Sequence, residues 1–280
     1  MSDRYAVFGH PVAHSRSPEI HAEFARSTGQ DIRYERILAP LDGFAAAVAA
    51  FRAAGGRGAN VTLPFKHEAC TLATELTMRA SDAGAVNTLR FDGERVLGDN
   101  TDGAGLVRDL EVNLQRPLRM ARVLMLGAGG AAAGVLLPLL EAGIASLHIA
   151  NRSPGRARAL AGRHAGRGPS VSGGGLDDSM HGTWDVVINA TSASLSGEMP
   201  SLEGLGFGED ALCYDMVYAP DRQALPGPFL QAAREKGARI AEGMGMLVEQ
   251  AAESFTLWRG VRPDTRALLE RMAPAWRGGR

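Results

Sequence analysis

In the run "ANVTLPFKHE" (59–68), Asn60 and Thr62 alternate with Val61 and Leu63 before Pro64 breaks the pattern. That alternation is the mark of a strand with one wet face. Lys66 follows at once, in the first turn of the next helix. A lysine in that place is ordinarily a solvated side chain. It is also a compact charge on a flexible stem, able to hold or move a proton where a carboxylate orients it. Other polar groups recur at similar places. Ser15 and Ser17 alternate in "GHPVAHSRSP", Asn87 lies in "GAVNT", and Asp102 lies in "GDNTDG". Each falls at the end of a strand or the start of a helix, where α/β proteins gather ligand groups. Hydroxyls and amides with one ammonium and one carboxylate suit a small polyhydroxylated acid better than a hydrophobe.

A second constellation is "GAGGAA" (127–132), which follows an apolar strand and opens an apolar helix. It has the form G-x-G-x-x-A in the strand-turn-helix setting that a dinucleotide fingerprint needs. Gly127 allows the tight turn, and Gly129 lets a pyrophosphate approach the backbone. The helix start offers unpaired N–H groups to the anion. At the end of the next strand an NAD site usually carries Asp or Glu for the ribose 2′-hydroxyl. This chain has Asn151, Arg152 and Ser153 there, with Arg156 and Arg158 beyond. A guanidinium matches a 2′-phosphate in charge and fork geometry, so the cofactor expected is NADP(H). Arg158 has the simpler explanation of a solvated helix start.

These groups must be positioned by alternating strands and helices. Residues 5–9, 31–39 and 57–64 read as strands. Ser17 and Pro18 give a helix start, as N-cap and N1. An alanine-rich helix ends at Gly55 and Gly56. A further helix is expected over 65–79, and two strands meet at an Asp92-Gly93 hairpin turn. A second unit begins near Asp102 with a helix, followed by strand, glycine turn, helix and strand, and then by further apolar strands. Leu247, Ala251, Phe255 and Trp258 share one helical face, which is a core stripe. A last helix follows Pro263. The pattern implies α/β layers with parallel sheets.

Composition narrows the classes. The 280 residues carry a net charge of −1 with the charges interspersed, so nucleic acid is an unexpected partner. The start of the chain lacks the apolar run of a signal peptide. The 18 uncharged residues from 123 to 140 hold four glycines and Pro138, which suits a strand-turn-helix better than a membrane span. Cys70 and Cys213 have no metal-type spacing and fit a reducing compartment. No metal is expected. Pro11 forbids a helical pair of His10 and His14, and in "GDNTDG" the glycine falls one place early for a calcium loop.

Taken in order, "YAVFGHPVAHSRSP", "GANVTLPFK", "AGAVNT", "GDNTDG", "GAGGAA", "NRS", "NATS", "YDMVY" and "GMGMLVEQA" resemble the shikimate dehydrogenase family nearly from end to end. The resemblance implies NADPH-dependent reduction of 3-dehydroshikimate to shikimate, on the route to the aromatic amino acids, in the cytoplasm. It implies two α/β domains: an N-terminal substrate-binding domain (1–102) and a Rossmann-like NADP-binding domain (103–240). The active site lies in the cleft between them, and the C-terminal helices (241–280) return to pack on the first domain. By motif, Ser15 and Ser17 hold the substrate carboxylate, with Tyr218 beside it. Asn60, Thr62, Asn87, Asp102 and Gln250 bind around the ring, and Lys66 and Asp102 are the catalytic pair. Gly127, Ala128, Gly129, Gly130, Ala131, Asn151, Arg152, Ser153, Arg156, Thr191, Met216 and Gly243 face the cofactor. The expected partners are this small substrate and the cofactor, with no membrane; a monomer and a homodimer are both compatible.

Two positions depart from the family pattern. His10 stands where Asn is common, and Met78 stands where some members have a glutamate near the cofactor. A quinate or quinate/shikimate dehydrogenase, often NAD-dependent, is the nearest alternative, and Arg152 and the second serine of "SRS" argue against it. A non-catalytic shikimate- or quinate-binding sensor would lose Lys66 or Asp102 and carry a DNA-binding element, and neither is seen.

Overall fold

The computed structural model describes residues 2–166, 168–178, 182–191, 202–218, 221 and 223–279. The chain forms two units: Met1–Gly105 with Val248–Leu268, and Leu106–Leu247 with Leu269–Arg280. No helix among the described residues is long and apolar enough to cross a membrane.

The first unit runs β1 (Asp3–Gly9), α1 (Ser17–Thr28), β2 (Ile32–Leu38), α2 (Phe44–Ala53), β3 (Gly56–Val61), α3 (Lys66–Leu72), β4 (Glu75–Leu76), α4 (Met78–Ala83), β5 (Thr88–Asp92) and β6 (Arg95–Asp99). Its sheet has the order β2-β1-β3-β5-β6-β4. β1 is parallel to β2 and β3, while β5 is antiparallel to both β3 and β6. The expected parallel sheet is therefore a mixed one, and the Asp92-Gly93 hairpin is the reason. Gly93 takes φ +59 at the turn. Phe8, Phe44, Phe51, Phe65, Val61 and Leu89 fill the core on one side. Burying each such side chain contributes roughly 1.5–3 kcal/mol.

The helix expected over 65–79 is two helices with a strand between them. Ala73 turns extended, and Glu75 and Leu76 pair with Leu97 and Gly98 of β6. Thr77 Oγ1 then accepts from Ala80 N and caps α4. Ser17 is not the N-cap of α1; Arg16 holds that place, and the Ser17 side chain turns to Ser15 instead.

The second unit holds β7 (Arg122–Leu126), α6 (Gly130–Glu141), β8 (Ser146–Ala150), α7 (Pro154–Gly162), β9 (Ser170–Gly174), β10 (Thr183–Asn189), β11 (Gly206–Asp215), α8 (Pro228–Glu235) and β12 (Arg239–Glu242). All its strand pairs are parallel, in the order β12-β11-β10-β7-β8-β9. Read from the β9 edge and renumbered within the unit, that is 3-2-1-4-5-6, the doubly wound order whose switch point lies beside its first strand, here β7. The chain passes between units within α5 (Asp102–Arg108), α9 (Met244–Arg259) and α10 (Arg266–Met272).

Three boundaries differ from those expected. The first unit ends after Gly105 rather than Asp102, the second unit runs on to Leu247 rather than residue 240, and Leu269–Arg280 belongs to the second unit, not the first. The tail is tied there by specific bonds. Ile240 N donates to Gly279 O at 3.0 Å, and Gly278 N donates to Ile240 O at 2.7 Å. Trp276 Nε1 donates to Ala224 O, and Arg277 pairs with the buried Asp109.

Candidate active site

Lys66 is the first residue of α3, and its backbone is fixed on both sides. Phe65 is buried and stacks on Phe44 with centroids 4.8 Å apart. Val86 N donates to Lys66 O at 2.9 Å. Asp102 opens α5, where Asn100 Oδ1 accepts from its backbone N–H. Lys66 Nζ donates to Asp102 Oδ2 at 2.6 Å, and the two side chains are 25% and 11% exposed. Asn87 Nδ2 donates to the other carboxylate oxygen at 2.8 Å. Both oxygens of Asp102 thus have a fixed donor. Among the described residues the ammonium spends one of its three N–H bonds, which leaves two for a ligand.

Behind this pair lies a buried network. Asn87 Oδ1 accepts from Thr88 Oγ1 and Thr101 N, while its Nδ2 also reaches Gln250 Oε1 at 3.2 Å. Asn60 donates to Asn87 O, Thr88 Oγ1 and Ser254 Oγ, and its Oδ1 accepts from Tyr34 Oη at 2.7 Å. Burial pushes the Tyr34 hydroxyl well above the usual phenol range, against opposing contributions from Ser17 and the charge of Arg36. Tyr34 therefore stays a donor. Ser15 Oγ donates to Ser17 Oγ at 3.1 Å and accepts from Ser17 N at 3.3 Å, just where α1 begins. Thr62 is half-buried at the end of β3, its N–H bonded to Phe8 O.

Of the expected substrate residues, Lys66, Asn60, Asn87, Asp102 and Gln250 form one connected network in the first unit. Ser15 and Ser17 bond to each other at the start of α1. Tyr218 belongs to the second unit, half-buried after β11. Ser254, Thr88, Thr101 and Tyr34 are members that motif reading missed. His10 is a neighbour, its Nδ1 2.9 Å from Ala39 O. Met78 is exposed at the start of α4.

The nucleotide residues follow the carboxyl ends of strands of the second sheet. Gly127 takes φ +107 between β7 and α6, and a Cβ there would lie 3.0 Å from Thr191 Cγ2. Thr191 is itself held by Asn189 Oδ1, through its N–H at 3.1 Å and its hydroxyl at 2.7 Å. Gly243 packs so closely on Met216 that a Cβ would lie 2.3 Å from Met216 O. Gly129 is the N-cap of α6 with no side-chain cap and no acidic residue in the first turn, and the space where its Cβ would stand is open. Gly130 and Ala131 begin that helix, and Ala128 precedes the cap. Gly127 N donates to Ala150 O, while the uncapped start of α6 faces open space at Gly129, a fit for a pyrophosphate. Asn151 Nδ2 bonds to Ser153 O at 3.1 Å. Arg152 and Arg156 are exposed, and neither has an ion pair among the described residues. Two exposed guanidinium groups, with no acid in residues 151–156, fit a 2′-phosphate.

A doubly wound sheet with an open glycine turn, and another α/β unit with a lysine and carboxylate at the head of a polar network, define a nicotinamide-nucleotide oxidoreductase. Comparison with known proteins is more specific. Residues 7–89 match the shikimate dehydrogenase substrate binding domain, residues 110–196 match the shikimate / quinate 5-dehydrogenase family, and residues 243–272 match the shikimate 5′-dehydrogenase C-terminal domain. The shikimate dehydrogenase (NADP(+)) of Aromatoleum aromaticum is 58% identical, covering 99% of each chain. An Ael1 enzyme from Pseudomonas putida superposes with a TM-score of 0.89 at 45% identity, over 98% of this chain and 100% of that one. Shikimate 5-dehydrogenase from Thermus thermophilus, solved in complex with NADP(H) and shikimate, gives 0.83 at 34% identity, over 96% and 97%. The chain belongs to the shikimate dehydrogenase family.

Proposed function

We propose that this protein catalyses the reversible NADPH-dependent reduction of 3-dehydroshikimate to shikimate, as a cytoplasmic enzyme. The observation that carries the reading is the Lys66 ammonium, held at 2.6 Å by Asp102. When bound, NADPH supplies the hydride. The chain's own residues do the rest. Reduction of a ketone leaves negative charge on its oxygen, and a proton donor within hydrogen-bond reach lowers that barrier. Lys66 is that donor, and in the oxidative direction it is the base. Asp102 fixes the direction of the ammonium, and Asn87 fixes Asp102. Ser15 and Ser17 bind the carboxylate, and Asn60, Thr62 and Gln250 orient the ring hydroxyls. Arg152 and Arg156 hold the 2′-phosphate, and the 127–131 turn holds the pyrophosphate.

The test is absorbance at the nicotinamide band with shikimate or quinate, each with NADP⁺ or NAD⁺. Turnover should be fastest by far with shikimate and NADP⁺. Faster turnover of quinate, or no preference between cofactors, would replace this reading with the quinate/shikimate alternative.

A further inference from the structure

On β2, Tyr34 and Arg36 are two residues apart and so project from the same face of the strand. Tyr34 reaches Asn60, as described. Arg36 reaches the serine loop: its Nε and Nη2 both donate to Ser15 O, at 2.9 and 2.6 Å. Glu35, between them, turns the other way and pairs with Arg4 at 2.7 Å. Arg36 meets no carboxylate among the described residues, yet it is fastened to the residue whose hydroxyl contacts Ser17. The same loop is held at its other end, where His10 Nδ1 lies 2.9 Å from Ala39 O and Ala39 N donates to Gly9 O.

We infer that Arg36 is a positioning residue for the carboxylate subsite, which fixes the Ser15 backbone and supplies the positive charge that makes the subsite select an anion. The inference rests on the function proposed above. Two serine hydroxyls alone bind a neutral ester or amide as well as a carboxylate. A guanidinium locked onto the loop adds a positive charge at a fixed place. Arginine suits the task because two of its N–H groups grip one carbonyl while the third nitrogen stays free.

The experiment compares wild type, R36Q and R36K with shikimate and with shikimate methyl ester, using NADP⁺. Turnover of shikimate by the wild type tests the underlying reading separately, since its absence would remove that reading whatever Arg36 does. Given turnover, R36Q should raise the shikimate KM about tenfold, the scale of one charge-assisted hydrogen bond. Its kcat and its KM for NADP⁺ should stay at the wild-type values. The ester KM should barely move, because the ester carries no charge to select. R36K, which keeps the charge without the fork, should recover most of the loss. An unchanged shikimate KM in R36Q would overturn the inference. So would equal rises for acid and ester, or a loss confined to kcat. R36M serves in the same design if R36Q does not fold, and circular dichroism identifies which variants do.

Discussion

A lysine that moves a proton and a lysine that merely binds leave different kinetic traces. Lys66→Met keeps the stem volume at a partly exposed site, so the fold and NADPH affinity should survive. Turnover should fall by about 10²–10⁴-fold, the usual worth of general acid–base catalysis. Asp102→Asn should also slow turnover, and the double variant should lose less than the two losses combined, because the residues share one hydrogen bond. A rise in shikimate KM with kcat intact would make Lys66 a binding group instead. Arg152 has a different signature. Arg152→Ala should weaken NADPH roughly ten- to a hundredfold and NADH far less, since only the first carries a 2′-phosphate. Titrating both nucleotides by fluorescence checks this, and equal losses would remove Arg152 from the phosphate. That Lys66 and Asp102 would pair was legible in the sequence because each sits in a local motif. Ser254 was not. Its partners Asn60 and Thr88 are 194 and 166 residues away, and nothing in the helical stripe of α9 marks one serine as a network member.

Helix α1 carries a second kind of information. His21 is fully buried on it, stacked on Tyr34 at 4.3 Å and close to Phe24, Phe255 and Trp258. Burial pushes its imidazole down to about 3, from 6.5, against a smaller opposing hydrogen-bond contribution from Asn60. The sign follows from which state takes the proton. Between 6.5 and 3 the unfolded chain is protonated at His21 and the native one is not, so acid favours unfolding. Stability should fall by roughly 1.4 kcal/mol per pH unit in that window and be insensitive to His21 above it. Urea unfolding at pH 7 and pH 5 should therefore differ by about 2 kcal/mol more in the wild type than in His21→Phe. Equal differences would mean that His21 is protonated in the native state. Of the elements themselves, the parallel strands around β7 were readable from short apolar runs punctuated by glycine. The division of 65–79 was not, because Glu75 and Leu76 are strand only through their pairing with β6, a partner twenty-two residues further on.

At the scale of the molecule, the C-terminal segment closes the second unit with a buried charge cluster. Arg277 is 8% exposed and its partner Asp109 is fully buried, and Asp109 also accepts from Tyr214 Oη at 2.7 Å. Tyr214 Oη in turn accepts from Met246 N, at the start of α9. Removing one member strands the other, so Arg277→Ala should cost about 3–5 kcal/mol. Pairing Arg277→Met with Asp109→Leu should recover only part of that cost, because the buried Glu242, 3.5 Å from Arg277, loses the same guanidinium and Tyr214 Oη loses its acceptor. Thermal melts of the single and double variants decide it, and a single variant as stable as the wild type would show that the pair contributes nothing. The sequence placed a last helix after Pro263 but assigned the tail to the wrong unit. An arginine near a chain end reads as solvated, and only the fold reveals Asp109 beneath it.

The first unit's two stretches, Met1–Gly105 and Val248–Leu268, also set an order of events during synthesis. When the first stretch leaves the ribosome, Asn60 and Thr88 still lack Ser254, and Leu89 O lacks Trp258 Nε1, its donor at 3.0 Å. Those partners arrive roughly ten to thirty seconds later at 5–20 residues per second. Throughout that interval the nascent substrate unit has a sheet but an unfinished polar network, whereas most of the nucleotide unit is translated without interruption. A pause or a premature stop after Leu247 would therefore release a chain whose nucleotide fold is nearly complete and whose substrate fold still lacks its last helix.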